Sequence, residues 1–192
     1  MMHVSTPFSA PTRPFLHRFH LAAATFMLVL GCVAGAAHAD EYTDVSQLLK
    51  SGKFSEALNK ADLYLAGKPR DPQMRFLKGV ILTDLGRPAD AITALQALTQ
   101  DYPELPEPYN NLAALYSQQN QFDKARAALE MAVRINPGYA IAHENLGDIY
   151  ARLAGQSYAR ALQLDAASAT LPPKLTQVRS LLAPPATASA RR

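Results

Sequence analysis

Five sets of residues recur in this chain at a spacing of 34: Ala57, Ala91 and Ala125; Pro69, Pro103 and Pro137; Gly52, Gly86 and Asn120; Gly79, Ala113 and Gly147; Leu82, Tyr116 and Tyr150. A period of that length predicts stacked helix–turn–helix units, none able to bury its apolar face without a neighbour. Each register has a physical reason. The Gly/Ala positions are expected where two helices of a pair approach too closely for a larger side chain. The Gly/Gly/Asn positions are expected in turns with a left-handed backbone, which costs these residues least. The prolines fall just past the second helix of each pair and end it.

The central copy, Pro106–Tyr139, is the most complete. It carries Tyr109-x2-Leu112-Ala113-x2-Tyr116, then Ala125-x3-Leu129, then Pro137. This pattern resembles the tetratricopeptide repeat family, with Tyr109 where the family usually has Trp. The resemblance covers roughly residues 41–165. It implies an all-α fold: a right-handed α-solenoid of about three to four repeats.

The copies differ in quality. Copy one, 41–70, has a short polar first helix and a good second one, Phe54–Ala66. A polar outer face suits a terminal repeat. Copy two, 71–105, is complete, and copy three is 106–139. Copy four, 140–165, begins with His143, Leu146, Gly147, Ile149 and Tyr150 in register but lacks about five residues around its turn. Two outcomes are open there: a short second helix, Gln156–Leu164, or one continuous helix with Gly155 as a soft point. A capping helix is expected over Lys174–Ala183, after Pro172-Pro173, with Leu175, Val178, Leu181 and Leu182 at helical spacing. Residues 184–192 carry no apolar pattern and read as a disordered tail.

The first 39 residues have a different character. Arg13 and Arg18 precede an apolar run, Leu21–Val33, and Ala37-His38-Ala39 supplies small residues before Asp40. This is the pattern of a secretory signal cleaved before Asp40, and a bacterial signal of this kind implies the periplasm. A second reading competes. Val29-Leu30-Gly31-Cys32 is similar to a lipoprotein box, in which Cys32 becomes the lipidated first residue of a membrane-tethered protein. Val29 and Leu30 depart from the residues such a box prefers.

Composition then excludes several kinds of chemistry. The chain has 19 basic and 16 acidic residues, but Arg13 and Arg18 lie in the signal, leaving 17 against 16. That balance and the lack of a basic block argue against a nucleic-acid partner. Cys32 is the sole cysteine, and four of five histidines precede residue 40. A chain starting at Asp40 therefore keeps only His143, which leaves no disulfide, thiol nucleophile or Cys/His zinc site. His143 stands in the register of Tyr109 and reads as packing; Tyr116 and Tyr150 read as core. No phosphate loop, cofactor motif or catalytic constellation is evident.

The resemblance implies that first helices line a concave groove for an extended or helical peptide. By register, the groove-facing residues are Phe76, Val80 and Thr83 in copy two. They are Asn110, Asn111, Ala114 and Ser117 in copy three, and Glu144, Asn145 and Asp148 in copy four. Asn111 and Asn145 are 34 apart, and a row of amides can both donate to and accept from a peptide main chain. Some members of the family carry such an asparagine ladder; the alternative is an amide bonded to a neighbouring helix. Glu144 and Asp148 would repel a peptide carboxylate and favour a neutral or basic segment. The expectation is a non-enzymatic binding scaffold with an unidentified protein or peptide partner. Membrane attachment is expected only if Cys32 is lipidated, and the oligomeric state is open.

Overall fold

The computed structural model describes residues 41–183, so the signal, Cys32 and the 184–192 tail lie outside the described residues. A compact unit begins at Val45 and carries the architecture that follows. The described residues are helical throughout, joined by short turns. Helix α1 includes residues 41–50. It is followed by α2 (Phe54–Gly67), α3 (Pro72–Asp84), α4 (Pro88–Asp101), α5 (Pro106–Gln118), α6 (Phe122–Ile135), α7 (Ala140–Leu164) and α8 (Leu171–Leu181). From α2 onward each helix packs on the next, and the first helices α3, α5 and α7 also meet side by side.

Local chemistry sets the turns. Gly52, Gly86 and Asn120 all have positive φ, at 71°, 69° and 58°. In each case the following amide donates back to a carbonyl five residues earlier: Lys53 to Leu48, Arg87 to Leu82, and Gln121 to Tyr116, all at 2.9 Å. The positive-φ residue itself donates three residues back, at 3.0 Å each time. These paired bonds satisfy carbonyls that a helix end leaves orphaned, and they require a left-handed residue at the corner. Helix starts are equally specified. Asp71 caps α3 by accepting from the Met74 amide at 2.8 Å. Prolines occupy the first turns of α3, α4, α5 and α8, where a missing N–H costs nothing. Pro172 and Pro173 thus open α8 rather than precede it, and α8 begins at Leu171 instead of Lys174.

Helix pairing follows the apolar stripes. Phe122, Ala125, Leu129 and Ala132 are buried along α6, and Leu112, Ala113, Leu115 and Tyr116 along α5. They belong to one core that also takes in Leu82, Ala91 and Leu95 from copy two and Ala142 and Ile149 from α7. The close approach expected at Gly79 is real: a Cβ there would sit 2.6 Å from Leu95 Cδ2.

Copy four resolves in favour of the continuous helix. Its left-handed corner would fall at Ala154, 34 residues after Asn120, and an alanine Cβ disfavours that backbone by about 1–2 kcal/mol. The segment therefore stays helical for 25 residues. Gly155 lies inside α7 beside α8, with Val178 Cγ1 3.4 Å from the place a Cβ would take. Lys174 stacks on the Tyr158 ring at 5.5 Å and Leu175 is buried, so α8 covers the C-terminal half of α7.

Three expectations for copy four change as a result. Among the described residues a Cβ added at Gly147 would meet nothing within 4 Å, in contrast with Gly79. Tyr150 is 49% exposed rather than core, and its hydroxyl donates to Glu130 Oε1 at 3.2 Å. His143 is exposed, with Nε2 3.0 Å from the Pro137 carbonyl oxygen. Gly147 and Tyr150 occupy registers that are buried in copies two and three, and among the described residues no second helix of copy four covers them.

One titration marks the joint between copies three and four. Tyr139, the N-cap residue of α7, has its phenol raised above the ordinary value of 10.0 by burial and then by the Glu107 carboxylate. A raised folded value means that the neutral phenol contributes stability below about pH 10, which is lost as pH climbs through the folded value. Chemical denaturation from about pH 9 to 11 should show a smaller loss for Tyr139→Phe than for the parent. Equal slopes would remove Tyr139 from the alkaline transition.

Candidate functional site

Helices α5 and α7 run side by side and leave a cleft of about 220 Å³ between them. Ala113, Ala114 and Ser117 of α5 form one wall; Asn145, Asp148, Ile149 and Arg152 of α7 form the other, with Leu129 of α6 also lining it. Apolar side chains and an amide, a hydroxyl, a carboxylate and a guanidinium thus share one small concavity. Small side chains on α5 make the room: Ala114 and Ser117 sit one turn apart, where larger residues would fill it.

Ala114, Ser117, Asn145 and Asp148 are therefore brought together as the register implied. Asn110 is not free to join them. It is buried, and its Oδ1 accepts from Asn145 Nδ2 at 2.8 Å. The amides of copies three and four are thus linked, but through Asn110 and Asn145 rather than as two parallel rungs at Asn111 and Asn145. This is the neighbouring-helix bond that the sequence left open as the alternative to a ladder. Asn145 keeps its oxygen and a second N–H for another partner. Asn111 is half-buried, and its side-chain amide has no hydrogen-bond partner among the described residues.

The remaining candidates separate. Glu144 is exposed but outside the cleft lining. Thr83 spends its hydroxyl on the Gly79 carbonyl at 2.9 Å, and Val80 is half-buried along α3. Phe76 contributes to a second, mainly apolar hollow of about 340 Å³ with Pro72, Gln73, Leu105, Glu107 and Pro108. It also packs against the core, so it serves architecture as well as surface.

Sequence reasoning missed Arg152. Its guanidinium lies 5.7 Å from the Phe122 ring centroid, and the residue lines the cleft one turn beyond Asp148. The spacing Asn145, Asp148, Arg152 is helical and was visible, and Arg152 stands in the register of Gln118, the last residue of α5. Arg152 changes the electrostatics of the cleft from anionic to mixed. Elsewhere cations near this surface are already engaged: Arg75 pairs with Asp101 and Lys78 with Asp62, both at 2.7 Å. Among the described residues no cluster of three or more His, Cys, Asp or Glu side chains is placed to hold a metal ion. No helix among them is long and apolar enough to cross a membrane.

Two tetratricopeptide repeat family models match the chain, at residues 45–106 and 82–153, and together span more than half of it. The chain belongs to the tetratricopeptide repeat family. Such repeats are usually non-enzymatic scaffolds. A chloroplastic tetratricopeptide repeat domain-containing protein of Arabidopsis thaliana, PYG7, is 42% identical over 57 residues, 30% of this chain. The match spans only 19% of that relative's length. Among solved structures, the first tetratricopeptide domain of Spaghetti (RPAP3), bound to the HSP90 peptide SRMEEVD, superposes with a TM-score of 0.56 at 18% identity. That alignment covers 59% of this chain and 90% of the other. The Yersinia enterocolitica type III secretion chaperone SycD, in complex with a peptide of the translocator YopD, gives a TM-score of 0.55 at 15% identity. It covers 59% of this chain and 92% of the other. At these identities the likeness concerns the fold.

Proposed function

We propose that this tetratricopeptide array is a non-enzymatic scaffold that binds an extended segment of a partner protein along its first helices, centred on the cleft between α5 and α7. The observation that carries this reading is the cleft itself: Asn145, Ser117 and Asp148 surround an apolar floor of Ala113, Leu129 and Ile149. Such a site offers donors and acceptors to a main chain and room for one small side chain, with no charge of a single sign. Peptide-bound structures of the same fold support it. Phe76 and its hollow offer a second, apolar anchor about two helices away along the same row.

Photocrosslinking side chains placed at Ser117 and Asp148 should capture a partner segment in cells, whereas one at exposed Lys124 on α6 should not. Equal capture from all three positions would sink the groove reading. In the same assay Asn111→Ala is expected to weaken capture with helicity unchanged. Asn145→Ala is a different experiment: it strands the buried Asn110 oxygen and should cost about 1–3 kcal/mol of stability besides any effect on binding.

For the place of action the reading rests on the first 39 residues. Arg13, Arg18, Leu21–Val33 and Ala37-His38-Ala39 support export to the bacterial periplasm with cleavage before Asp40. Mass spectrometry of the mature N-terminus should find Asp40. A lipidated Cys32 would instead make the protein a membrane-tethered member of an envelope assembly and would overturn the soluble reading.

A further inference from the structure

We propose that the strip of α7 around Gly147 and Tyr150 docks an amphipathic helix supplied by another protein, in the place where copy four lacks its own second helix. This surface is separate from the cleft proposed above, and the two proposals stand or fall independently.

The chain's own repeats show what belongs there. In copies two and three the same two registers are closed by a second helix. Gly79 leaves no space for a Cβ beside Leu95, and Ala113, Leu82 and Tyr116 are all buried. In copy four Gly147 faces open space and Tyr150 is half exposed. The cause is the continuation of α7 to Leu164, which sends its C-terminal half away to pair with α8. The N-terminal half keeps a first-helix surface on which no second helix has been laid.

The row of second helices defines the occupant. Helices α4 and α6 each sit between consecutive first helices, and α6 already packs on α7. The vacant place continues that interface. Helix α4 presents Ala91, Leu95 and Leu98, and α6 presents Ala125, Leu129 and Ala132, every one of them buried to 1% exposure or less. The fitting partner is therefore a helix carrying Ala, a leucine four residues on, and Leu or Ala three further. Its leucine would occupy the space over Gly147 as Leu95 does over Gly79. A glycine inside an exposed helix costs about 1 kcal/mol against alanine. Close approach of another backbone is the physical return for that cost.

The test uses the full chain and a fluorescent synthetic peptide copying the second helix of copy three, QFDKARAALEMAVRINP, as the probe. Saturable binding is expected, with NMR shifts centred on the amides of Gly147 and Tyr150. Gly147→Leu should lower the affinity at least ten-fold while keeping the fold, because its side chain enters open space and leucine favours a helix. A probe with Leu129→Asp should not bind. No saturable binding at about millimolar peptide, or binding unchanged by Gly147→Leu, would overturn the proposal. Sedimentation of the chain alone supplies a further outcome. Self-association abolished by Gly147→Leu would assign the surface to a second copy and overturn a partner helix from another protein.

Discussion

Leu95→Ala should be among the most damaging single substitutions in this chain, lowering stability by about 2–5 kcal/mol. Leu95 is fully buried in α4, and its Cδ2 and Cγ fill the space that Gly79 leaves on α3. Truncation deletes three carbons from a site whose facing residue has no side chain with which to collapse inward. The cavity is therefore retained rather than relaxed, which puts the cost at the upper end of the range. Urea denaturation followed by circular dichroism reads it out. Because repeat arrays unfold as coupled units, the loss should appear first as early melting of copies one and two, ahead of α5–α7. A change below about 1 kcal/mol would mean that Leu95 and Gly79 are not packed as described.

The second large effect is a contrast of sign between two glycines in one register. Gly79→Ala places a Cβ 2.6 Å from Leu95 Cδ2 and 2.8 Å from its Cγ. Leu95 is itself enclosed and has nowhere to swing, so overpacking should cost about 1–3 kcal/mol. Gly147→Ala meets no atom within 4 Å and lies in the interior of α7. There only helix propensity operates, and the substitution should stabilise by about 0.5–1 kcal/mol. Parallel denaturation curves of the two variants check both at once. Loss of stability in both would show that a second helix covers Gly147 within this chain after all.

That contrast also marks where sequence reading succeeded and where it failed. The 34-residue period places Gly79, Ala113 and Gly147 in one register, and a packing role follows for each. Two of the three hold it. The third does not, because a register describes a local backbone address, whereas packing needs a neighbour, and the neighbour depends on whether the chain reverses. Reversal hinges on residue 154. With Gly or Asn at the equivalent positions the helix ends in a left-handed corner; with Ala154 it runs on. The shortage of five residues signalled trouble there, yet both outcomes remained compatible with the pattern.

The proposed binding surface was legible to a similar degree. Ala114, Ser117, Asn145 and Asp148 could be named from the period and from the family resemblance, since a shared register puts them on one face. The use of their polar atoms could not. Whether Asn145 serves a peptide or a neighbouring helix turns on the 2.8 Å bond to Asn110, a contact between residues 35 apart that no periodicity of 34 anticipates. Arg152 stands in the register of Gln118, and nothing in the period marks that position as part of the cleft.

The sequence alone thus determined the elements and their order: where helices start at proline or Asp71, where they stop at Gly52, Gly86 and Asn120, and which stripes are apolar. These are local matters, settled by backbone sterics and by the alternation of side chains along one helix. The tertiary structure alone decided which stripes find a partner, which amides are already satisfied, and which face of α7 is left open. Those outcomes depend on distances between helices, and the path of the chain after Tyr150 sets them.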